Sequence, residues 1–278
     1  MRALNIMMEK QSLYEPKISV IMSVRNGEND LEKSMTSLFN QTFSDWELVV
    51  CDDGSTDNTL EKLNKYAERD SRIKVLHNPE SMGLAYSLNL CIENARSNIL
   101  ARQDADDASD FHRFEIQYPF VMSHPEYAVV GTCWYSVDEN GVKKENHVPL
   151  KPTARQQVKG GLYMHPSWMM RKDQIEKIGF YTVNKYTIRS QDYHFIMKLL
   201  AAGMTLYNMP DLLYYYTNDL ATKQRHLNWK RVKGLMWIRY DSYKRNKLPF
   251  WSYVYVLKPV LVNLIPKKLL MRHYSKHT

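Results

Sequence analysis

"NILARQDADDASD", residues Asn98 to Asp110, joins an apolar run to four carboxylates, Asp104, Asp106, Asp107 and Asp110, within seven positions. The first part, Asn98–Gln103, reads as a strand. Like charges this close repel, so the cluster needs a cation, a solvated loop, or both. Its place in the fold matters more. In open α/β sheets ligands bind outside the carboxyl ends of the strands, and an acidic group directly after a strand stands there.

The sequence on the N-terminal side supplies such a sheet. "KISVIMSV" (Lys17–Val24) is a continuous apolar run suited to a buried parallel strand. A helix follows with Leu31, Met35, Leu38 and Phe39 on one face. "WELVVC" (Trp46–Cys51) is the next strand. The turn-rich "DDGSTDNT" leads into a helix carrying Leu60, Leu63 and Tyr66, with Asp57 near its start. "IKVLH" (Ile73–His77) is a third strand. Gly83 opens a helix with Leu84, Leu88, Ile92 and Ala95, and Asn98–Gln103 closes the series. Strand–helix alternation of this kind predicts a mostly parallel central sheet flanked by helices. Asp52 and Asp53 then end the second strand and Asp104 and Asp106 the fourth, on one sheet edge.

The second half is less regular. "DENGVKK" predicts a hairpin through Asn140-Gly141. "HPSWMMRKDQIEKIGFY" reads as a strand and a short helix ending at Gly179. "SQDYHFIMKLLAAG" reads as a helix capped by Ser190 and stopped by Gly203, with Phe195, Ile196, Leu199 and Leu200 on its apolar face. "MTLYNMP" and "DLLYYYTN" read as two strands. Asp192 lies in the first turn of its helix, where the dipole favours an ionised carboxylate. From spacing alone, dipole complementation is the simpler role; a general base is the alternative. His165 lines a site or satisfies a loop.

Charge is unevenly spread. Ala221 to Thr278 holds fourteen Lys/Arg and one acid, Asp241, for a net charge of +13, while the rest carries 24 bases against 29 acids. This asymmetry points to a polyanion. The apolar part of the segment, Leu248–Ile265, is broken by Lys258, Pro249 and Pro259 and makes a poor transmembrane span. Aromatics flanked by Lys/Arg suit an anionic membrane surface. Nucleic acid is the competing partner, and without an RNA-binding motif it is set aside. "MRALNIMMEK" has no long apolar region, so no signal peptide is expected. Cys51, Cys91 and Cys133 are odd in number and far apart, as expected of reduced, buried thiols in a cytosolic protein. P-loop, GxGxxG and GxSxG motifs are absent.

Taken in order, "ISVIMSVRNGENDLEKSMTSLFNQTFSDWELVVCDDGSTDNT", "ARQDADD", "HPSWMMRK" and "SQDYHF" resemble the inverting family 2 glycosyltransferases of GT-A fold, over roughly Lys17 to Asn218. The resemblance implies a Rossmann-like sheet and a catalytic and nucleotide-sugar-binding domain over residues 1–220. A helical, basic, membrane-associating extension would occupy 221–278. It implies that Ser23, Asp53 and Asp104 contact the nucleotide. Asp104, Asp106 and Asp107 would hold Mn²⁺ or Mg²⁺, with Asp106 the principal ligand. Asp192 would be the catalytic base, and His165 and Gln191 would stand near donor or acceptor. The family usually has Glu-Asp where this chain has Gln191-Asp192. It often has a His near "YYYTND", where Asn218 or Asp219 stands instead. The implied donor is a UDP-hexose, with dTDP as the alternative nucleotide. The implied acceptor is a polyprenyl-diphosphate-linked saccharide of O-antigen or capsule synthesis at the cytoplasmic membrane face.

Two other readings of the acidic strand end are kept. A sugar nucleotidyltransferase also uses such Asp residues with Mg²⁺, but only Arg25, Asn26 and Gly27 follow the first strand, with no Gly-rich basic loop. In a calcium- or membrane-binding module, Asp104, Asp106 and Glu115 would fit an EF-hand, while Ala108 and Ser109 break it.

Overall fold

The structure, a computed structural model, describes residues 15–218 and 228–264. The N-terminal "MRALNIMMEK", the expected boundary at 220/221, Asp219 and Ile265 lie outside the described residues.

The first four strands follow from the apolar runs. They are β1 (Ile18–Val24), β2 (Trp46–Asp53), β3 (Ile73–Asn78) and β4 (Ile99–Arg102), and α1 (Leu31–Phe39), α2 (Thr59–Arg69) and α3 (Leu84–Asn94) connect them. β2 is buried at every position and extends through Asp52 and Asp53. Alternation along β1 and β2 sorts the core into two layers. Ile18, Val20, Met22, Leu48 and Val50 pack with Leu31, Met35 and Leu38 of α1 on one face. Ile21, Val49 and Cys51 pack with Leu88, Cys91 and Ile92 of α3 on the other. All three cysteines are buried and free.

Beyond β4 come β5 (Ala108–Ser109), α4 (Arg113–Ser123), β6 (Tyr127–Val137), β7 (Lys143–Asn146) and α5 (Ala154–Gln157). Then follow β8 (Met169–Arg171), α6 (Lys172–Glu176), α7 (Gln191–Ala201) and β9 (Thr205–Thr217). The sheet order is β3-β2-β1-β4-β8-β6-β9-β5, with β7 on β6. The expected parallel arrangement holds across β3-β2-β1-β4. Further out the sheet is mixed: β8 runs antiparallel to β4 and β6, β5 antiparallel to β9, and β9 parallel to β6. The Asn-Gly hairpin forms as read, pairing Val137 with Lys143.

Two local expectations are corrected. "MTLYNMP" and "DLLYYYTN" form one strand, β9. Its register against β6 jumps from Thr132–Met209 to Cys133–Leu212, which takes Pro210, lacking an N–H, out of the ladder. Ser190 precedes α7 but does not cap it through its side chain. It sits in the left-handed region at φ 62°, which is unusual for a non-glycine residue.

α8 (Trp229–Arg245), a 3₁₀ segment at Phe250–Leu257 and α9 (Lys258–Leu264) complete the described chain. α8 packs on α7: Trp237 lies 5.5 Å from the His194 ring, and His194 Nε2 is 2.9 Å from Asp241 Oδ2. Among the described residues, no helix is long and apolar enough to cross a membrane.

Candidate functional site

Four parallel strands end on one edge. β1 lies between β2 and β4, with Ser23 opposite Cys51 and Ile21 opposite Arg102, so half-buried Ser23 stands between the two acidic strand ends.

At the end of β2 the two aspartates differ. Asp53 accepts from Asn78 Nδ2 at 2.9 Å, Ser81 Oγ at 2.8 Å, Ser87 Oγ at 2.9 Å and the N–H groups of Met82 and Gly83, each at 2.9 Å. The carboxylate ties the loop before α3 to the strand end. Burial pushes its pKa up, but these donors outweigh burial and hold it below the usual value. Gly54 makes the close approach possible. Its φ is +67°, and a Cβ there would lie 2.6 Å from the Glu80 carbonyl carbon. Asp52 Oδ2 lies 3.0 Å from His77 Nδ1, while its Oδ1 is buried with no partner.

After β4 the chain turns so that Asp104, Asp106 and Asp107 converge, one carboxylate oxygen of each lying within 4.8 Å of the others. Asp107 Oδ1 accepts from the Thr217 N–H at the end of β9, and Oδ2 is buried with no partner among the described residues. Burial first, then Asp104 and Asp106, raise the Asp107 carboxyl to about 8. Loss of surrounding water, then Asp104, raises Asp106 as well. Crowded hard oxygen donors with an orphaned buried oxygen are the donor set a divalent cation satisfies. Thr217 Oγ1 donates to the Asp106 carbonyl and receives Lys33 Nζ at 2.7 Å. Asn218 donates its N–H to the Val137 carbonyl, and its Oδ1 is buried without a partner among the described residues.

Beneath the acids lie two wholly buried arginines that the sequence reading missed. Arg102 ion-pairs with Asp104, which restores the charge that burial opposes. Arg113 donates to the Arg102 carbonyl at 3.0 Å, Ser109 Oγ at 2.9 Å and the Trp168 carbonyl at 3.3 Å. Burial pushes its pKa down to about 10. Tyr214 of β9 accepts the Asp104 N–H at 3.1 Å. The available signal was an arginine at a strand position otherwise filled by apolar residues, and another on the buried face of α4.

Asp192 occupies the first turn of α7, half-buried. Burial raises its pKa and Asp104 adds to this, while the Tyr193 N–H and Arg102 oppose. A carboxylate whose pKa is raised by burial, within electrostatic reach of the acidic cluster, is equipped to take a proton. Gln191 beside it is buried. His165 is buried too, with Nε2 2.7 Å from Tyr181 Oη, and burial holds it well below the usual imidazole range.

Residues 19–179 match the profile of Glycosyl transferase family 2. The chain belongs to this family. Among similar proteins, EpsE of Bacillus subtilis is 35% identical over 263 residues, 94% of each chain. A segment of 107 residues, 38% of this chain and 42% of the other, is 36% identical to an Escherichia coli protein. That protein is WfgD, the UDP-Glc:alpha-D-GlcNAc-diphosphoundecaprenol beta-1,3-glucosyltransferase. Among solved structures, S. aureus TarS 1-349 in complex with UDP-GlcNAc aligns with TM-score 0.68 at 20% identity, over 89% of this chain and 71% of that one. The mannosyltransferase PcManGT of Pyrobaculum calidifontis, in complex with GDP-Man and Mn²⁺, aligns with TM-score 0.63 at 15% identity, over 95% and 81%. The fold is GT-A-like, and this family 2 chain is a glycosyltransferase.

Proposed function

We propose that this glycosyltransferase moves a hexose from a UDP-sugar to a hydroxyl of a polyprenyl-diphosphate-linked saccharide, with inversion, in bacterial surface polysaccharide synthesis. The observation that carries the reading is the convergence of Asp104, Asp106 and Asp107 at a strand edge within electrostatic reach of Asp192. Asp106 and Asp107, with Asp104, would hold Mn²⁺ or Mg²⁺. A cation there supplies charge neutralisation for the departing nucleoside diphosphate. Ser23 and the strand ends at Asp53 and Asp104 form the nucleotide side of the cleft. Asp192 accepts the proton of the acceptor hydroxyl as that oxygen attacks the anomeric carbon from the face opposite the nucleotide. Arg102 orients Asp104 through their ion pair. His165 and Gln191 border the donor and acceptor side. The acceptor class rests on the name of WfgD, the nucleotide on the UDP-GlcNAc held by TarS, and the metal chemistry on the Mn²⁺ held by PcManGT.

The same reading puts the chain at the cytoplasmic membrane face. Phe250, Val254, Leu257, Leu261 and Leu264 recur at spacings of four and three and are all exposed, from 51% to 91%. With the surrounding lysines and arginines, this ridge suits an anionic lipid surface.

The test is thermal stability with UDP, dTDP, GDP and CDP, each with and without Mn²⁺. A ligand that binds the folded state alone raises its stability. The expected result is a rise with UDP that needs Mn²⁺ and vanishes in Asp106→Ala. No rise with any nucleotide overturns the donor assignment.

A further inference from the structure

A separate, cation-rich cleft lies close in the chain to Asp192. Its volume is about 240 Å³, and it is lined by Lys185, Arg189, Lys230 and Arg231, with Tyr186, Ile188, Asn228 and Gly234 between them. Among the described residues, no acidic one lines it. Among the described residues none of its four cations is ion-paired. Arg231 Nε is buried and has no hydrogen-bond partner among the described residues. Burial first, and the neighbouring Arg189 second, push the Arg231 pKa down. The cleft also receives the N-terminal end of α8, a helix of 17 residues, where the dipole adds positive potential.

The cleft walls are fixed in place. Asn184 Oδ1 accepts from the N–H groups of Tyr186 and Thr187 at 2.8 and 3.1 Å, and Thr187 Oγ1 donates to the Thr182 carbonyl at 2.6 Å. Tyr186 stacks on Trp237 with ring centroids 5.2 Å apart. A Cβ on Gly234 would lie 2.8 Å from the Tyr186 carbonyl oxygen, so the loop and α8 are in direct backbone contact. Arg189 precedes Asp192 by three residues, which limits their backbone separation to about 11 Å.

We infer that this cleft is an anion site for the diphosphate of the acceptor. The inference rests on the transferase reading, because it takes Asp192 as the place where the acceptor hydroxyl is deprotonated. The chemistry selects a compact, multiply charged anion. The volume falls below the roughly 300–1,000 Å³ of sites that enclose drug-sized ligands, and two arginines match the oxygens of a phosphate group in bidentate fashion. The site is separate from the nucleotide side, where charge is negative and a diphosphate needs a cation to enter. With Arg189 and Asp192 this close in the chain, a sugar attached to a diphosphate in the cleft is within reach of Asp192. The cleft therefore selects acceptors that carry their sugar on a diphosphate.

The test is direct binding in EDTA, with the full chain, of inorganic pyrophosphate, farnesyl diphosphate and phosphatidylglycerol vesicles. The expected result is that both diphosphates bind, that Arg189→Gln/Arg231→Gln weakens both at least tenfold, and that Asp106→Asn changes neither. Retained Mn²⁺-dependent UDP binding shows that the double variant is folded. Should it unfold, Lys185→Gln/Lys230→Gln, on exposed side chains, must show the same weakening. Absent pyrophosphate binding, or binding that survives the substitutions, overturns the inference. So does a loss confined to the vesicles, which would make the cleft a lipid-headgroup contact. If UDP fails to bind the native chain while pyrophosphate binds as expected, the UDP-donor reading fails and the anion site stands.

Discussion

The backbone N–H of Thr217 donates to Oδ1 of Asp107 over 2.7 Å, tying the end of β9 to the acidic turn after β4 and leaving Oδ2 buried and unpartnered. The contact connects residues 110 positions apart and aims the most buried carboxylate of the cluster at its two neighbours. It also sets a cost. Without a cation, three acids converge and Asp107 takes up a proton up to about pH 8.

The sign of that cost is testable. A carboxyl whose folded-state pKa lies above its unfolded value makes the metal-free fold lose stability as pH rises from about 4 to about 8. Asp107→Asn removes the repulsion. In EDTA at pH 8 it should raise stability by about 1 kcal/mol or more, roughly 2–4 °C in Tm. It should also abolish the rise that Mn²⁺ gives the native chain. Differential scanning calorimetry at pH 6 and pH 8 reads both effects. A variant still stabilised by Mn²⁺ would remove Asp107 from the ligand set.

Asp192 supplies the second prediction. Replacing it with Asn keeps the shape but removes the base. Transfer should fall by about 10²–10⁴-fold, while Mn²⁺-dependent UDP binding is retained. Because burial raises this carboxyl, the acidic limb of kcat/KM should lie above the ordinary aspartate value, with activity lost as pH falls through it. A pH–rate profile with its limb at the ordinary value, or a variant with native turnover, would contradict the assignment.

Asp53 offers a contrast, because its carboxylate is enclosed by the fold. Asp53→Ala leaves the buried donors of Asn78 and Ser87 without their acceptor and should cost about 2–4 kcal/mol, measured by urea unfolding at pH 7. The depressed pKa sets the acid behaviour. Its stabilisation is present above the unfolded value and is lost as pH falls below it. Gly54→Ala should destabilise by about 1–3 kcal/mol, since it forces a Cβ at positive φ into the Glu80 carbonyl. A neutral Gly54→Ala would mean that the loop before α3 can shift.

How much of this was legible differs along the chain. β1 to β4 read clearly because each is a buried run bounded by turn residues, and the helices between them keep one apolar face. The acidic edge followed from their order. The outer strands did not, because β8 is three residues long and β9 carries Pro210 in its middle, which reads as a break where the structure has a bulge. Single residues at the site were less legible. Ser190 has the residue type of a cap but the backbone of a left-handed turn. Arg102 and Arg113 look like solvent-facing charges in a sequence. Only the packing of β4, α4 and β9 shows them buried beneath Asp104. The cation-lined cleft joins residues 185–189 to 228–234, and no local pattern connects those two stretches.

The exposed ridge yields the last prediction. Phe250, Val254 and Leu257 are 91%, 66% and 51% exposed, so changing all three to Ser removes little from the core and should leave the unfolding midpoint nearly unchanged. Burying one such side chain in an apolar phase is worth about 1.5–3 kcal/mol. Even partial insertion of three therefore predicts at least a tenfold loss of partitioning onto phosphatidylglycerol vesicles in a sedimentation assay. The basic side chains around the ridge add an electrostatic part that salt screens. Binding by the native chain should thus weaken between 0.05 and 0.5 M NaCl, to about the level set by the apolar contacts alone. The triple variant should retain the salt-sensitive part and only the apolar contribution of Leu261 and Leu264. Native partitioning by that variant would place lipid contact elsewhere on the molecule and leave the ridge as a surface for a protein partner.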